Sequence, residues 1–141
     1  MSVCSDELSV QINMQSNNQA EKFSWAKRLA SFRYAFNGLI ILIKEEHNAR
    51  IHCFIACCVL IASVMLKIST SEWIAVIFCI GWVIALELIN SAIEKIGDFL
   101  SIEKNETVKK MKDLSAGAVL LAAIASVIIG LIIFLPKIFK L

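Results

Sequence analysis

Residues 114–135 read LSAGAVLLAAIASVIIGLIIFL, 22 consecutive residues without a charged side chain. Roughly 20 apolar residues span the hydrocarbon layer of a bilayer as a helix. A helix also satisfies its own backbone groups there, where no water is available to do so. Two further stretches carry the same signal: 51–67 (IHCFIACCVLIASVMLK), short for a span, and 72–98, which holds Trp73 and Trp82 as candidate interface aromatics. The composition agrees: 58% of the chain is hydrophobic, and one Pro and five Gly interrupt it. That apolar share lies well above the usual soluble range. The predicted fold class is therefore an all-α membrane protein with three transmembrane helices.

What precedes the spans differs in kind. Residues 1–22 are polar, rich in Ser, Asn and Gln, and lack the apolar core of a secretory signal peptide. A disordered tail is expected there, followed by one domain over 23–141. Within 23–50, Phe23, Trp25, Leu29, Phe32 and Phe36 recur at helical intervals between Lys22, Lys27, Arg28 and Arg33. This aromatic and basic periodicity predicts an amphipathic helix lying at a membrane surface.

Lys and Arg orient the predicted bundle. Six fall in 1–50, one in 67–72, five in 95–113 and two in the tail beyond the third span. Basic loops stay on the cytoplasmic side. The reading is a multi-pass protein of the cell (inner) membrane with a cytoplasmic N-terminus and the 99–113 loop also inside. A net charge of +2 implies no nucleic-acid partner. Cys53 and Cys57 stand four apart beside His52, but no second ligand pair with zinc spacing follows, and thiols in apolar runs behave as small hydrophobes.

The second span contains residues that do not belong in hydrocarbon. Glu87, Asn90, Glu94 and Asp98 are spaced 3, 4 and 4, which puts them within about 80° of one helix face. Counting from Trp73, Glu87 lies about 21 Å and Glu94 about 31 Å along the helix. Ionisable residues inside a span are costly, so they mark a functional site by default. Two more polar clusters lie at the same predicted depth: Glu45 and Glu46 in KEEHNAR, and Lys109, Lys110, Lys112 and Asp113 in KKMKDLSAG. Carboxylates, an Asn and lysines at a membrane face suit phosphoryl transfer, which needs oxygen ligands for Mg²⁺, cations for phosphates and an acceptor for a hydroxyl proton. No Walker loop and no kinase Gly-rich loop is present. From these residues alone, a proton or cation pathway through Glu87 and Asn90, or a structural protein that pairs the stripe with a partner, remains an alternative.

Three motifs narrow the choice. ELINSAIE at 87–94, KEEHNARIH at 44–52 and KDLSAGAVL at 112–120 resemble the signature blocks of the small prokaryotic diacylglycerol kinase and undecaprenol kinase family. The resemblance covers about 23–138. It implies an integral-membrane lipid kinase that moves the γ-phosphoryl of MgATP to a lipid hydroxyl, making phosphatidate or undecaprenyl phosphate. It also implies a homotrimer with active sites shared between subunits. By the same resemblance, Glu87 is the catalytic base, and Glu46 and Glu94 are metal carboxylates, with Glu45 the neighbour of Glu46. Asn90, Lys112 and Asp113 match nucleotide-contacting positions. Lys27 or Arg28, with Tyr34, match positions near nucleotide and lipid, and Glu103 and Asn105 an adenine-side loop. Ala116 stands where diacylglycerol-specific members tend to carry Ser, and AGAVL with GLIIFLPKI resembles the undecaprenol kinase branch.

Overall fold

A computed structural model of the chain describes residues 25–100 and 105–139, apart from the side chains of 26–28. The predicted tail at 1–22, Glu103, and the side chains of Lys27 and Arg28 lie outside what is described. The described residues form four helices: α1 (Trp25–Glu45), α2 (His47–Met65), α3 (Thr70–Leu100) and α4 (Glu106–Ile138). Two compact units divide within α1, residues 1–35 and 36–141. In the first, α1 exposes Trp25, Leu29, Phe32 and Tyr34, and the Arg33 guanidinium sits 5.7 Å from the centre of the Tyr34 ring.

The second unit holds the three helices long and apolar enough to cross a membrane, α2, α3 and α4. Most of their large apolar side chains point outward, among them Phe54, Ile77, Phe78, Leu121 and Ile132. A water-soluble protein would bury such residues. Here they form the surface that lipid or another chain covers.

Helix ends depart from the predicted boundaries for local reasons. The expected surface helix over 23–50 breaks at Glu46, whose backbone is extended (φ −97°, ψ 119°). Glu46 heads α2 without capping it through its own side chain, so that carboxylate is free to reach another helix. Beyond Met65 the chain reverses through Lys67, in the left-handed region at φ 48°. The Ile68 N–H donates back to the Ser63 carbonyl at 3.2 Å, a helix-ending pattern in which Gly is the usual residue. Ser69 and Glu72 then open α3 as a capping box: the Ser69 N–H donates to Glu72 Oε2 at 2.6 Å, and the Glu72 N–H to Ser69 Oγ at 3.4 Å. The third span, expected at 114–135, belongs to a helix that starts at Glu106. Asn105 caps it, its Oδ1 accepting the Thr107 N–H at 2.8 Å. A helix ends where its hydrogen-bond ladder is capped, not where the hydrocarbon stops.

α3 packs against both neighbours and most extensively against α4. At the turn end, Ile68, Val76 and Ile133 form a small core, and Trp73 and Phe134 pack on it. Lys137 pairs with Glu72 at 3.0 Å across the α3–α4 contact. At the other end the two helices approach at Gly97, where a Cβ would meet Lys112 Cε and Val108 Cγ1 at 3.0 Å. Any larger residue at Gly97 would push the Val108 and Lys112 side chains aside.

Candidate active site

The polar stripe of α3 points inward at Glu87 and Asn90, with Ser91 beside them, and opens outward at Asp98. Glu87, Asn90 and Ser91 are only 3%, 7% and 6% exposed. A buried polar group normally finds a partner, and the partners here come from two other helices. Ser91 Oγ donates to Glu46 Oε1 at 2.8 Å, so the break between α1 and α2 delivers its carboxylate directly to α3. The Asn90 amide donates to Glu94 Oε1 at 3.0 Å along the same helix. Its carbonyl oxygen lies 2.7 Å from Ser115 Oγ on α4, whose hydroxyl is also 2.9 Å from the Lys112 carbonyl. One turn of α3 thus gathers contacts from the α1–α2 break and from α4.

Cations border this cluster. The Lys95 ammonium pairs with Glu45 and lies 3.9 Å from Glu46 Oε1. The Lys112 ammonium pairs with Asp98. Two carboxylates, Glu45 and Glu46, therefore lie beside Lys95. Both lysines are partly solvent-exposed, and a phosphate group could displace the carboxylates that hold them.

Glu87 is the exception in the cluster. No described residue donates a hydrogen bond to its carboxylate. Among the described residues no fully buried side-chain nitrogen or oxygen lacks a partner, so the Glu87 oxygens are not sealed off. A carboxylate without a donor is open to accept a proton from a third party.

The structure gathers the predicted residues unevenly. Glu46, Glu87, Asn90, Glu94 and Lys112 share the cluster through the contacts above. Asp113 and Ala116 lie exposed on α4, and Asp113 has no hydrogen bond or ion pair among the described residues. Asn105 spends its side-chain oxygen on the α4 cap. Tyr34 lies exposed in the first unit. Among the described residues no three His, Cys, Asp or Glu side chains converge as a metal cage. Five residues carry no sequence signal of the partner they take: Glu45 with Lys95, 50 positions apart, Ser115 on Asn90, 25 apart, Asp98 on Lys112, and Ser91, visible beside the stripe but not as the seat of Glu46.

Comparison with known proteins identifies the family. The profile of the prokaryotic diacylglycerol kinase family matches residues 33–134, which include every residue of the cluster. An undecaprenol kinase of Bacillus subtilis is 40% identical over 107 residues, covering 76% of this chain and 87% of that protein. A diacylglycerol kinase of Synechocystis is 38% identical over 114 residues, covering 80% of this chain and 65% of that protein. A diacylglycerol kinase of Haemophilus influenzae is 33% identical over 105 residues, with 74% and 89% covered. With three apolar helices around a buried acidic stripe, this chain belongs to the prokaryotic diacylglycerol kinase family and is a multi-pass membrane lipid kinase of the diacylglycerol and undecaprenol kinase type.

Proposed function

We propose that the chain transfers the γ-phosphoryl group of MgATP to the hydroxyl of a membrane lipid, either diacylglycerol, giving phosphatidate, or undecaprenol, giving undecaprenyl phosphate. The observation that carries this reading is the contrast between Glu87, buried without a donor, and the hydrogen-bonded Glu46 and Glu94 beside it. Glu87 accepts the hydroxyl proton as the lipid oxygen attacks the γ-phosphorus. The bond from that phosphorus to the bridging oxygen breaks, and ADP leaves. Transfer of this kind rests on positioning and charge stabilisation more than on covalent chemistry.

Glu46 and Glu94 are the residues that would hold Mg²⁺. Two carboxylates around one helical turn suit this ion, which takes one or two carboxylates, keeps several waters and fills its shell from nucleotide phosphates. When bound, the ion neutralises developing charge on the phosphate oxygens. Asn90, Lys112 and Asp113 contact the nucleotide in this reading; by the family resemblance Glu103 and Asn105 belong to an adenine-side loop, Lys27 and Tyr34 are further nucleotide-binding residues, and Arg28 and Ala116 are lipid-binding residues. We further infer a homotrimer in the cell inner membrane with a cytoplasmic N-terminus. The basic asymmetry of the loops supports the orientation.

The test is ATP consumption by the purified full-length chain in mixed micelles, with and without each lipid. Lipid-dependent ADP release that needs Mg²⁺ is the expected result. ATP hydrolysis indifferent to added lipid, or none at all, would favour a proton or cation pathway through Glu87 and Asn90.

A further inference from the structure

Ser115 on α4 differs from two other serines of the spans. Ser63 and Ser126 each donate to a carbonyl of their own helix, that of Val59 at 2.7 Å and that of Ala122 at 2.8 Å. A helical hydroxyl commonly bonds back to its own helix in this way. Ser115 has two acceptors for its one proton. The Lys112 carbonyl lies at 2.9 Å on α4, and Asn90 Oδ1 lies at 2.7 Å on α3. Among the described residues no other group donates to Asn90 Oδ1, and Asn90 is only 7% exposed.

An amide side chain has one accepting end and one donating end, and half a turn about its last torsion exchanges them. With its oxygen toward Ser115, Asn90 points its NH2 group at Glu94 Oε1, 3.0 Å away. Turned round, it would set its oxygen against the Glu94 carboxylate, acceptor against acceptor. Glu94 therefore fixes which end of the amide faces it. Ser115 supplies the donor that keeps the other end in place. Without that hydroxyl the nearly buried amide oxygen has no protein partner, which is costly, and the amide must turn to find one. The second Glu94 oxygen makes no hydrogen bond among the described residues.

We propose that Ser115 is a positioning residue of this site: its hydroxyl holds the Asn90 amide, the amide holds one oxygen of Glu94, and the other Glu94 oxygen is left for Mg²⁺. The inference rests on the lipid-kinase reading above, in which Glu94 is a metal carboxylate, and adds the α4 residue that orients it. Ser115 acts only through Asn90 and touches neither nucleotide nor lipid. It stands three and two residues after Lys112 and Asp113, within one turn of them. The clamp therefore ties the metal carboxylate of α3 to the part of α4 assigned to the nucleotide, so the two halves of the site keep one register.

The experiment compares wild type with Ser115→Ala, Ser115→Thr and Ser126→Ala, each as the full-length chain in mixed micelles. Two quantities are read. One is the Mg²⁺ concentration for half-maximal lipid phosphorylation. The other is solvent exchange of the Asn90 side-chain NH2 protons without metal or nucleotide, by NMR on asparagine-labelled protein, with the signal assigned by its loss in Asn90→Asp. Ser115→Ala should raise the Mg²⁺ requirement by roughly two- to tenfold, the scale of one hydrogen bond, and leave the lipid KM unchanged. It should also speed exchange of the Asn90 NH2 protons by a similar factor. Ser115→Thr keeps the hydroxyl and should restore both. Ser126→Ala removes a hydroxyl that meets only its own helix and should match wild type in both. An unchanged Mg²⁺ requirement in Ser115→Ala overturns the proposal. So does a lowered thermal midpoint with both readouts unchanged, because Ser115 is then a packing residue only. If wild type consumes no ATP with either lipid, the kinase reading fails. The exchange measurement needs no turnover, and unchanged exchange in Ser115→Ala would then overturn the clamp separately.

Discussion

Both ends of the α2–α4 unit set carboxylates beside lysines, and the two ends use them differently. At the turn end Glu72 caps α3, pairs with Lys137 and lies beside a small core of Ile68, Val76 and Ile133. Every polar group named there is consumed locally. At the acidic end Glu46, Asn90 and Glu94 hydrogen-bond across or along helices, but Glu87 is buried without a donor and Asp113 is exposed without a partner. The same residue types staple helices at one end and stay available at the other. A carboxylate to which its own chain donates no hydrogen bond keeps its acceptor capacity for a ligand. Availability, rather than the presence of charge, separates the site from the scaffold.

The sharpest way to break this contrast is to neutralise Glu87. Glu87→Gln keeps the shape and removes the proton acceptor, so turnover should fall by roughly 10²-fold or more while nucleotide binding persists. A nucleotide titration beside a turnover assay reads both quantities. If the mutant turns over at the wild-type rate, Glu87 is a scaffold residue after all, and the two ends are alike.

Glu94→Gln and Glu46→Gln come next. Each removes one of the two carboxylates assigned to Mg²⁺, so the Mg²⁺ and ATP dependence of the rate should weaken by at least tenfold, with secondary structure by circular dichroism intact. An unchanged Mg²⁺ titration for either would take that residue out of the metal site.

A smaller loss is expected from Ser91→Ala, which leaves Glu46 in place and deletes the donor that seats it. The value of one such bond, about 0.5–1.5 kcal/mol, corresponds to a loss of roughly two- to tenfold in activity. No change in rate would mean that Glu46 is positioned by the α1–α2 break alone.

The least effect on catalysis should come from the turn end. Glu72→Ala should lower the thermal midpoint slightly, because it removes both a capping-box member and a partly exposed ion pair. Lys67→Gly should raise the midpoint, because glycine takes the left-handed backbone without strain. Neither should alter kcat. A catalytic defect in Glu72→Ala would erase the distinction between the two ends.

The number of spans, their chemistry and the face of the stripe were all legible in the sequence. Each depends only on the geometry of a single helix. A rise of 1.5 Å and a turn of 100° per residue oblige Glu87, Asn90 and Glu94 to share a face wherever the helix sits. Composition likewise marks the long uncharged run at 114–135 as an apolar helix. Helix ends were less legible. Caps such as Ser69 with Glu72, or Asn105, depend on a few local torsions, and the break at Glu46 interrupts a pattern that reads as continuous helix.

What only the tertiary structure decided is which helix meets which, and in what register. Ser91 seats Glu46, Ser115 reaches Asn90, and Lys112 turns to Asp98. Sequence separation carries no information about such pairs. They depend on how the short turn at Lys67 and the close approach at Gly97 set the sliding of α2 and α4 along α3. That sliding is fixed by side-chain packing between helices, and a shift of one residue along a helix would turn its contact face by about 100° and dissolve the cluster.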